Sequence, residues 1–385
     1  PDDPYNTADD IRTATTGGTP EIFESKNIPV KERGNGGPYY DFGDRIYITG
    51  GPVSVTVNMW PESIGTVFAH SWELYPVKPF QTTYVIPGKT YADPPYNFDD
   101  FEHVYAIIQA TEDGTVVTAT DSNGDLMNLV SFDPATGQPI DAGTSPVLNK
   151  GESLLLGQVQ EGETAGPAVG TDHTTFSATV VGSKPIQVNY VVGDNKNHGG
   201  LPSESRGISA IPSTLWDNEY YLPMQSRLHS NTDVFLYNAN PYPITVSYEH
   251  SGGKGTITVP ADGMASYQGS AIPDGNTTPA NLWIPSSAVV FKSSDNEKFT
   301  AFASVDTEAY NYDWGMNLVP AYILRNEYYL GWAPGGSNYP PGQTSPPYTP
   351  SENYSPAWIT PKYDNTTIYV DTDGDGAADG SFAAD

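Results

Sequence analysis

The residues best suited to chemistry form the run DTDGDGAAD at 371–379, in which carboxylates alternate around glycines. A calcium ion takes roughly six to eight hard oxygen ligands, and such a loop supplies them from one short stretch of backbone. Asp371, Asp373, Asp375 and Asp379 would ligate through their side chains and Ala377 through its carbonyl. The pattern departs from an EF-hand, because Phe382 stands where that loop places its bidentate Glu. It resembles the acidic loops of thrombospondin type 3 and dockerin repeats. A weaker version, TDSNGDLMN at 120–128, offers Asp121, Asn123 and Asp125. Ca2+ is the expected cofactor; a solvated acidic turn is the plainer reading of both loops.

Other chemistry is hard to place. The six histidines, at 70, 103, 173, 198, 229 and 250, never fall at HxxH or HExxH spacing, and GxSxG is absent. A glycosidase needs only two carboxylates about 5–9 Å apart, but nothing singles out a pair among 46 acidic residues. We expect no catalytic residues and no enzyme activity. Sequons at Asn276, Asn353 and Asn365 are candidate glycosylation sites.

Composition sets the frame for these motifs. The 385 residues include 38 Gly, 35 Pro, 26 Tyr and 7 Trp, a mixture of turn formers and strand-favouring aromatics. The formal net charge of −29 argues against a nucleic-acid partner and against binding an anionic membrane surface. No apolar run reaches the roughly 18 residues of a membrane span. There is no Cys, and the sequence starts at Pro1 and not Met. A trimmed leader and an extracellular location, secreted or on the cell surface, are expected.

A repeat then organises the chain. NEYYL occurs at 218–222 and 326–330, inside a gapless match of GISAIPSTLWDNEYYLP (207–223) to GMNLVPAYILRNEYYLG (315–331). A fainter copy, LYPVKPFQTTYVIP (74–87), places Pro76, Tyr84 and Pro87 at the spacing of Pro212, Tyr220 and Pro223. The runs at 104–120, 233–249 and 357–371 each read as a β-hairpin around a polar turn. The strand KPIQVNYVV (184–192) corresponds to EKFTAFASV (297–305) and to GPVSVTVNM (51–59). A unit of roughly 110–135 residues emerges, with NEYYL as its closing strand and helix confined to single turns near 213–218 and 321–326.

The expected fold is all-β, in tandem antiparallel β-sandwich modules with an extended N-terminal arm. The arm is 1–40. Modules follow over 41–227, including a partial unit at 41–103, and over 228–333. A Pro-rich linker at 334–356 leads to an orphan hairpin with the acidic loop at 357–385. A first hairpin is thus missing in front and spare behind. Two readings stand: the chain is a piece of a longer repeat protein, or the spare hairpin completes the partial unit of another subunit by strand addition. In the second reading Trp358, Thr360, Thr367 and Tyr369 are the assembly residues.

The order of segments resembles the N-terminal domain family of the IgG Fc-binding protein of mucus, which has bacterial and archaeal surface relatives. QATEDGTVVTAT (109–120) is similar to its A-t-x-D-x-T-x-V-x-I motif, through Thr111, Asp113, Thr115 and Val117. VLNKGESLLL (147–156) resembles its Gly-led strand. Ser183, Lys184 and Pro185 match its S-x-K-P, and ISAIPSTLWDNEYYLP (208–223) its closing Tyr segment, with Asp217 where the family often has Gly. The resemblance implies an extracellular, non-catalytic structural or adhesive protein. Copies of itself are the expected partner. Glycans or host surface proteins, met by long loops at 121–147 and 193–206, are the alternative.

Overall fold

The computed structural model describes residues 55–59, 70–74, 81–87, 103–121, 123–132, 139–157, 177–194, 204–226, 232–268, 283–284, 287–305, 314–328, 359–370, 378 and 380–384. The arm and the Pro-rich linker lie outside them. The chain divides into two compact units, Val57–Leu324 and Pro1–Thr56 with Arg325–Asp385.

β1 (Thr56–Met59), whose first residue belongs to the smaller unit and whose other residues belong to the larger, pairs with β2 (His70–Glu73). The first sandwich comprises β3 (Thr83–Ile86), β4 (His103–Ala110), β5 (Thr115–Asp121), β6 (Leu129–Phe132), β7 (Pro139–Gly143), β8 (Val147–Leu148), β9 (Ser153–Gly157), β10 (Ala178–Gly182), β11 (Ile186–Asp194) and β12 (Glu204–Ser209). One sheet runs β3-β10-β5-β8 and the other β12-β11-β4-β9-β6-β7. Alternation along the strands turns Ile86, Val117 and Val180 from the first sheet onto Ile108, Leu156 and Val188 from the second.

The second sandwich repeats this plan. It is built from β13 (Glu219–Leu222), β14 (Gln225–Ser226), β15 (Asp233–Asn238), β16 (Ile244–His250), β17 (Gly253–Val259), β18 (Gly263–Gln268), β19 (Trp283–Ile284), β20 (Val289–Ser293), β21 (Thr300–Val305), β22 (Trp314–Asn317) and β23 (Val319–Pro320). Its sheets run β17-β16-β20-β13-β23 and β18-β15-β21-β22, with β14 and β19 as a small separate pair. The core order β13-β20-β16 matches β3-β10-β5, and β22-β21-β15-β18 matches β12-β11-β4-β9.

Three sequence readings are corrected in the two sandwiches. NEYYL does not close a module: β13 pairs with β20 and β23, and Tyr220 lies in the second core, so the segment opens the second sandwich. The Pro-led 3-10 turn at Ser213–Leu215 carries the chain from one sandwich into the next, and Ala321–Ile323 repeats it. Next, the expected hairpins at 104–120 and 233–249 are arches. β4 and β5 lie in opposite sheets, as do β15 and β16. Alternating apolar strands joined by a short turn fit either arrangement, and burial of both apolar faces in one core selects the arch. Last, 121–147 is not simply a loop, since β6 and β7 extend the six-stranded sheet.

The sheet β18-β15-β21-β22 is buried on both faces. Val234, Leu236, Ala301 and Ala303 enter the second core, while Phe235, Tyr237, Met264 and Phe302 join the first. This explains the unbroken apolar run of β15, as expected of a strand covered on both sides. Trp216 meets Tyr237 edge-on at 6.1 Å, and Tyr190 meets Phe302 at 5.9 Å. Gly315 permits the approach of β22 to β12, because a Cβ there would stand 3.1 Å from the Cβ of buried Arg206. Asn317 adds a hydrogen bond from its side-chain amide to the Ser209 carbonyl.

In the smaller unit β24 (Thr366–Val370) pairs antiparallel with β25 (Gly380–Ala384). The spare hairpin is therefore formed by these two strands around the acidic loop, and not by the two halves of 357–371.

Candidate functional site

The repeat can be followed into the C-terminal unit atom by atom. In the first sandwich the arch turn ends on Thr115, whose hydroxyl donates to the Glu112 carbonyl at 2.6 Å, with Gly114 at φ +67°. In the C-terminal unit Thr366 donates to the Tyr363 carbonyl at 2.6 Å, with Asn365 at φ +59°. Asn tolerates that left-handed conformation better than most residues. The shared turn fixes the register: Thr366 stands for Thr115, and Ile359 for Ile108. Strand pairing in the second sandwich makes Leu236 the third member, since Leu236 faces Ala301 as Ile108 faces Val188.

NEYYL gives a second correspondence. Tyr84, Tyr220 and Tyr328 share one position. The Tyr84 hydroxyl donates to the Ile186 carbonyl at 3.0 Å, and that of Tyr220 to the Phe299 carbonyl at 2.6 Å. Burial raises the pKa of both phenols well above the ordinary tyrosine value. Local geometry persists in the third copy. The amide of Asp217 donates to the Tyr220 oxygen at 3.1 Å, and the amide of its counterpart Arg325 to the Tyr328 oxygen at 2.9 Å.

Surroundings differ where local geometry does not. Ile108 and Leu236 are 0% exposed and Ile359 is 57% exposed. Tyr84 and Tyr220 are 3% and 0% exposed and Tyr328 is 64% exposed. Two core positions of the sandwich are thus uncovered in the third copy, and Ile359 lies outside any strand. Among the expected assembly residues, Thr360 is half-buried, Thr367 and Tyr369 are exposed, and Trp358 lies outside the described residues. Neither Tyr328 nor Ile359 is among the assembly residues expected from the sequence; the NEYYL register contained the signal, once Tyr220 is known to be a core residue.

Of the acidic loop, residues 371–377 and 379 lie outside the described set, which includes Asp371, Asp373, Asp375, Ala377 and Asp379. The pairing of Val370 with Gly380 holds the ends of that loop together. The weaker loop is described at Asp121, Asn123 and Asp125. Asp121 Oδ1 accepts from the amides of Asn123 and Asp125, both at 2.9 Å. These bonds, the Asp125 amide foremost, lower the Asp121 pKa and commit its carboxylate to folding its own loop. Among the described residues no group of three or more His, Asp or Glu gathers as a metal site. Asn365 is exposed on its turn, whereas Asn276 and Asn353 lie outside the described residues.

The motif at 109–120 and 183–185 is a clasp between two turns. The hydroxyl of Thr111 donates to the Pro185 carbonyl at 2.6 Å, the amide of Val116 to Ser183 Oγ at 2.9 Å, and Lys184 Nζ to the Asp113 carbonyl. These bonds tie the two turns together. No helix among the described residues is long and apolar enough to cross a membrane. No family profile, curated protein or solved structure matches the chain.

Proposed function

We propose that this chain is a non-catalytic extracellular structural or adhesive protein that assembles with copies of itself, by strand addition, into a filament or surface layer. The observation that carries this reading is the third copy of the sandwich positions, with Ile359 and Tyr328 exposed where their counterparts are buried. An exposed Ile and Tyr at core positions cost stability in water, so a partner that supplies the facing strands gains what the two complete sandwiches gain internally. A heterologous contact of this kind propagates into a filament wherever its rotation does not close a ring. The likeness of the repeat to the mucus-protein family agrees with an extracellular role. Electron microscopy of the purified chain across a concentration series tests the reading. Filaments or sheets are expected; particles that stay single at every concentration would remove it.

Calcium has a defined place in this scheme. The loop 371–379 joins β24 to β25, and its four carboxylates are hard donors suited to Ca2+. Bound there, the ion would neutralise the loop and stiffen the hairpin. Titration with Ca2+ should protect the β24–β25 amides from exchange, since a ligand of the folded hairpin stabilises it by mass action. Unchanged exchange at millimolar Ca2+ would exclude the site.

A further inference from the structure

We infer that the strand covering the C-terminal unit is the β1 segment of a second copy of this chain, with Val55 of one copy opposite Ile359 of the other. This rests on the proposed self-assembly and specifies its register. In each complete sandwich the strand carrying the buried position, β4 or β15, is flanked by β11 or β21. The facing pairs are Ile108 with Val188 and Leu236 with Ala301. By the alignment of 51–59 with 184–192 and 297–305, Val55 stands for Val188 and Ala301.

The two edges are complementary. β11 has neighbours on both sides, β12 and β4, and β21 likewise has β22 and β15. Among the described residues β1 has one neighbour, β2, which lies beside β12 and β22 as the corresponding last strand of its own unit. The side of β1 that would receive a β4-type strand is the side without a described partner. Val55 and Thr56 of the same chain fall in the compact unit that contains Ile359 and Tyr328, and both of these residues are exposed all the same. The covering strand is therefore assigned to another copy.

The same interface accounts for Tyr328, which is 64% exposed where its counterparts Tyr84 and Tyr220 are buried. One interface thus covers both positions, as each complete sandwich does internally.

The chain has no Cys, which makes the test direct. Chains carrying Val55→Cys and chains carrying Ile359→Cys, distinguished by tags of different size, are mixed under mild oxidation. Directly opposed antiparallel residues sit about 4.5–5.5 Å apart at Cα, within disulfide reach. A mixed-tag disulfide dimer, absent when either variant is oxidised alone, is the expected result. The pair Ile108→Cys with Val188→Cys in one chain serves as the positive control for this register. If the control closes and the mixture does not, the register is wrong; filaments seen by microscopy would then leave self-assembly standing, and their absence would remove both. If the double variant Val55→Cys/Ile359→Cys closes only within its own chain, the strand is supplied in cis and the inference is overturned. Independently, Tyr328→Phe should weaken association about tenfold without changing the melting of dilute protein. Unchanged association would contradict the cover proposed for Tyr328.

Discussion

The complete sandwiches and the C-terminal unit use one sequence pattern in two environments. Ile108 and Leu236 sit under a second sheet, and Ile359, at the same step of the same arch, does not. The Tyr84 and Tyr220 hydroxyls reach the carbonyls of Ile186 and Phe299, whereas the Tyr328 oxygen has, among the described residues, its local bond from the Arg325 amide. The turn and the local hydrogen bond form from nearby residues alone. Burial needs the strands of the other sheet, and these are the part of the pattern that can come from another molecule.

That contrast can be broken first at the apolar position. Ile108→Ala and Leu236→Ala should each destabilise the dilute protein by about 2–5 kcal/mol, from lost transfer energy plus a cavity. Ile359→Ala should change it by less than about 0.5 kcal/mol, as exposed positions do. Urea unfolding measures both. Comparable losses at all three sites would show that Ile359 is already covered in the single chain.

The tyrosines give a smaller effect of the same form. Tyr84→Phe and Tyr220→Phe remove a donor from a buried carbonyl and should cost about 1–3 kcal/mol each. Tyr328→Phe should cost nothing measurable in dilute protein. Titration sharpens the point. Burial raises the pKa of Tyr84, Tyr220 and Tyr237, and pushes Tyr267 up to about 12. The unfolded chain ionises near the ordinary value of about 10. Stability should therefore hold below pH about 10 and fall above it, by up to about 1.4 kcal/mol per pH unit for each buried phenol, until the folded pKa is passed. Tyr84→Phe and Tyr220→Phe should flatten that alkaline slope.

The smallest effect belongs to the Asp121 loop. Its carboxylate pKa is lowered by the amides it accepts from, so its contribution is present above the ordinary Asp pKa and fades as pH falls through the lowered value. Asp121→Ala should speed exchange of the Asn123 and Asp125 amides and leave the global midpoint in place. A large loss of stability would mean that the loop carries more of the first sandwich than its exposed position indicates.

Much of the architecture was readable from residue types. Alternating runs such as IQVNYVV gave strands, the Pro-led match at 207–223 and 315–331 gave the repeat, and the 3-10 turns appear inside the windows proposed for them. The phase of the module was not readable. Whether NEYYL ends one sandwich or begins the next depends on which core receives Tyr220, and that is a long-range fact. Arches were mistaken for hairpins for a related reason, because the spacing of apolar residues records which faces are buried and not which strand lies alongside. The uncovered positions Tyr328 and Ile359 look like ordinary core residues in sequence. Their exposure depends on which strands lie opposite them, and the spacing of apolar residues does not encode that.

Amide hydrogen exchange at Ile359, followed in dilute protein and again after concentration into the assembled form, tests the central claim most directly. The open unit should exchange rapidly when dilute and become as protected as Ile108 and Leu236 once assembled, because a neighbouring strand then supplies the missing cover. Protection at Ile359 already in the dilute chain, or rapid exchange that persists after assembly, would contradict the account.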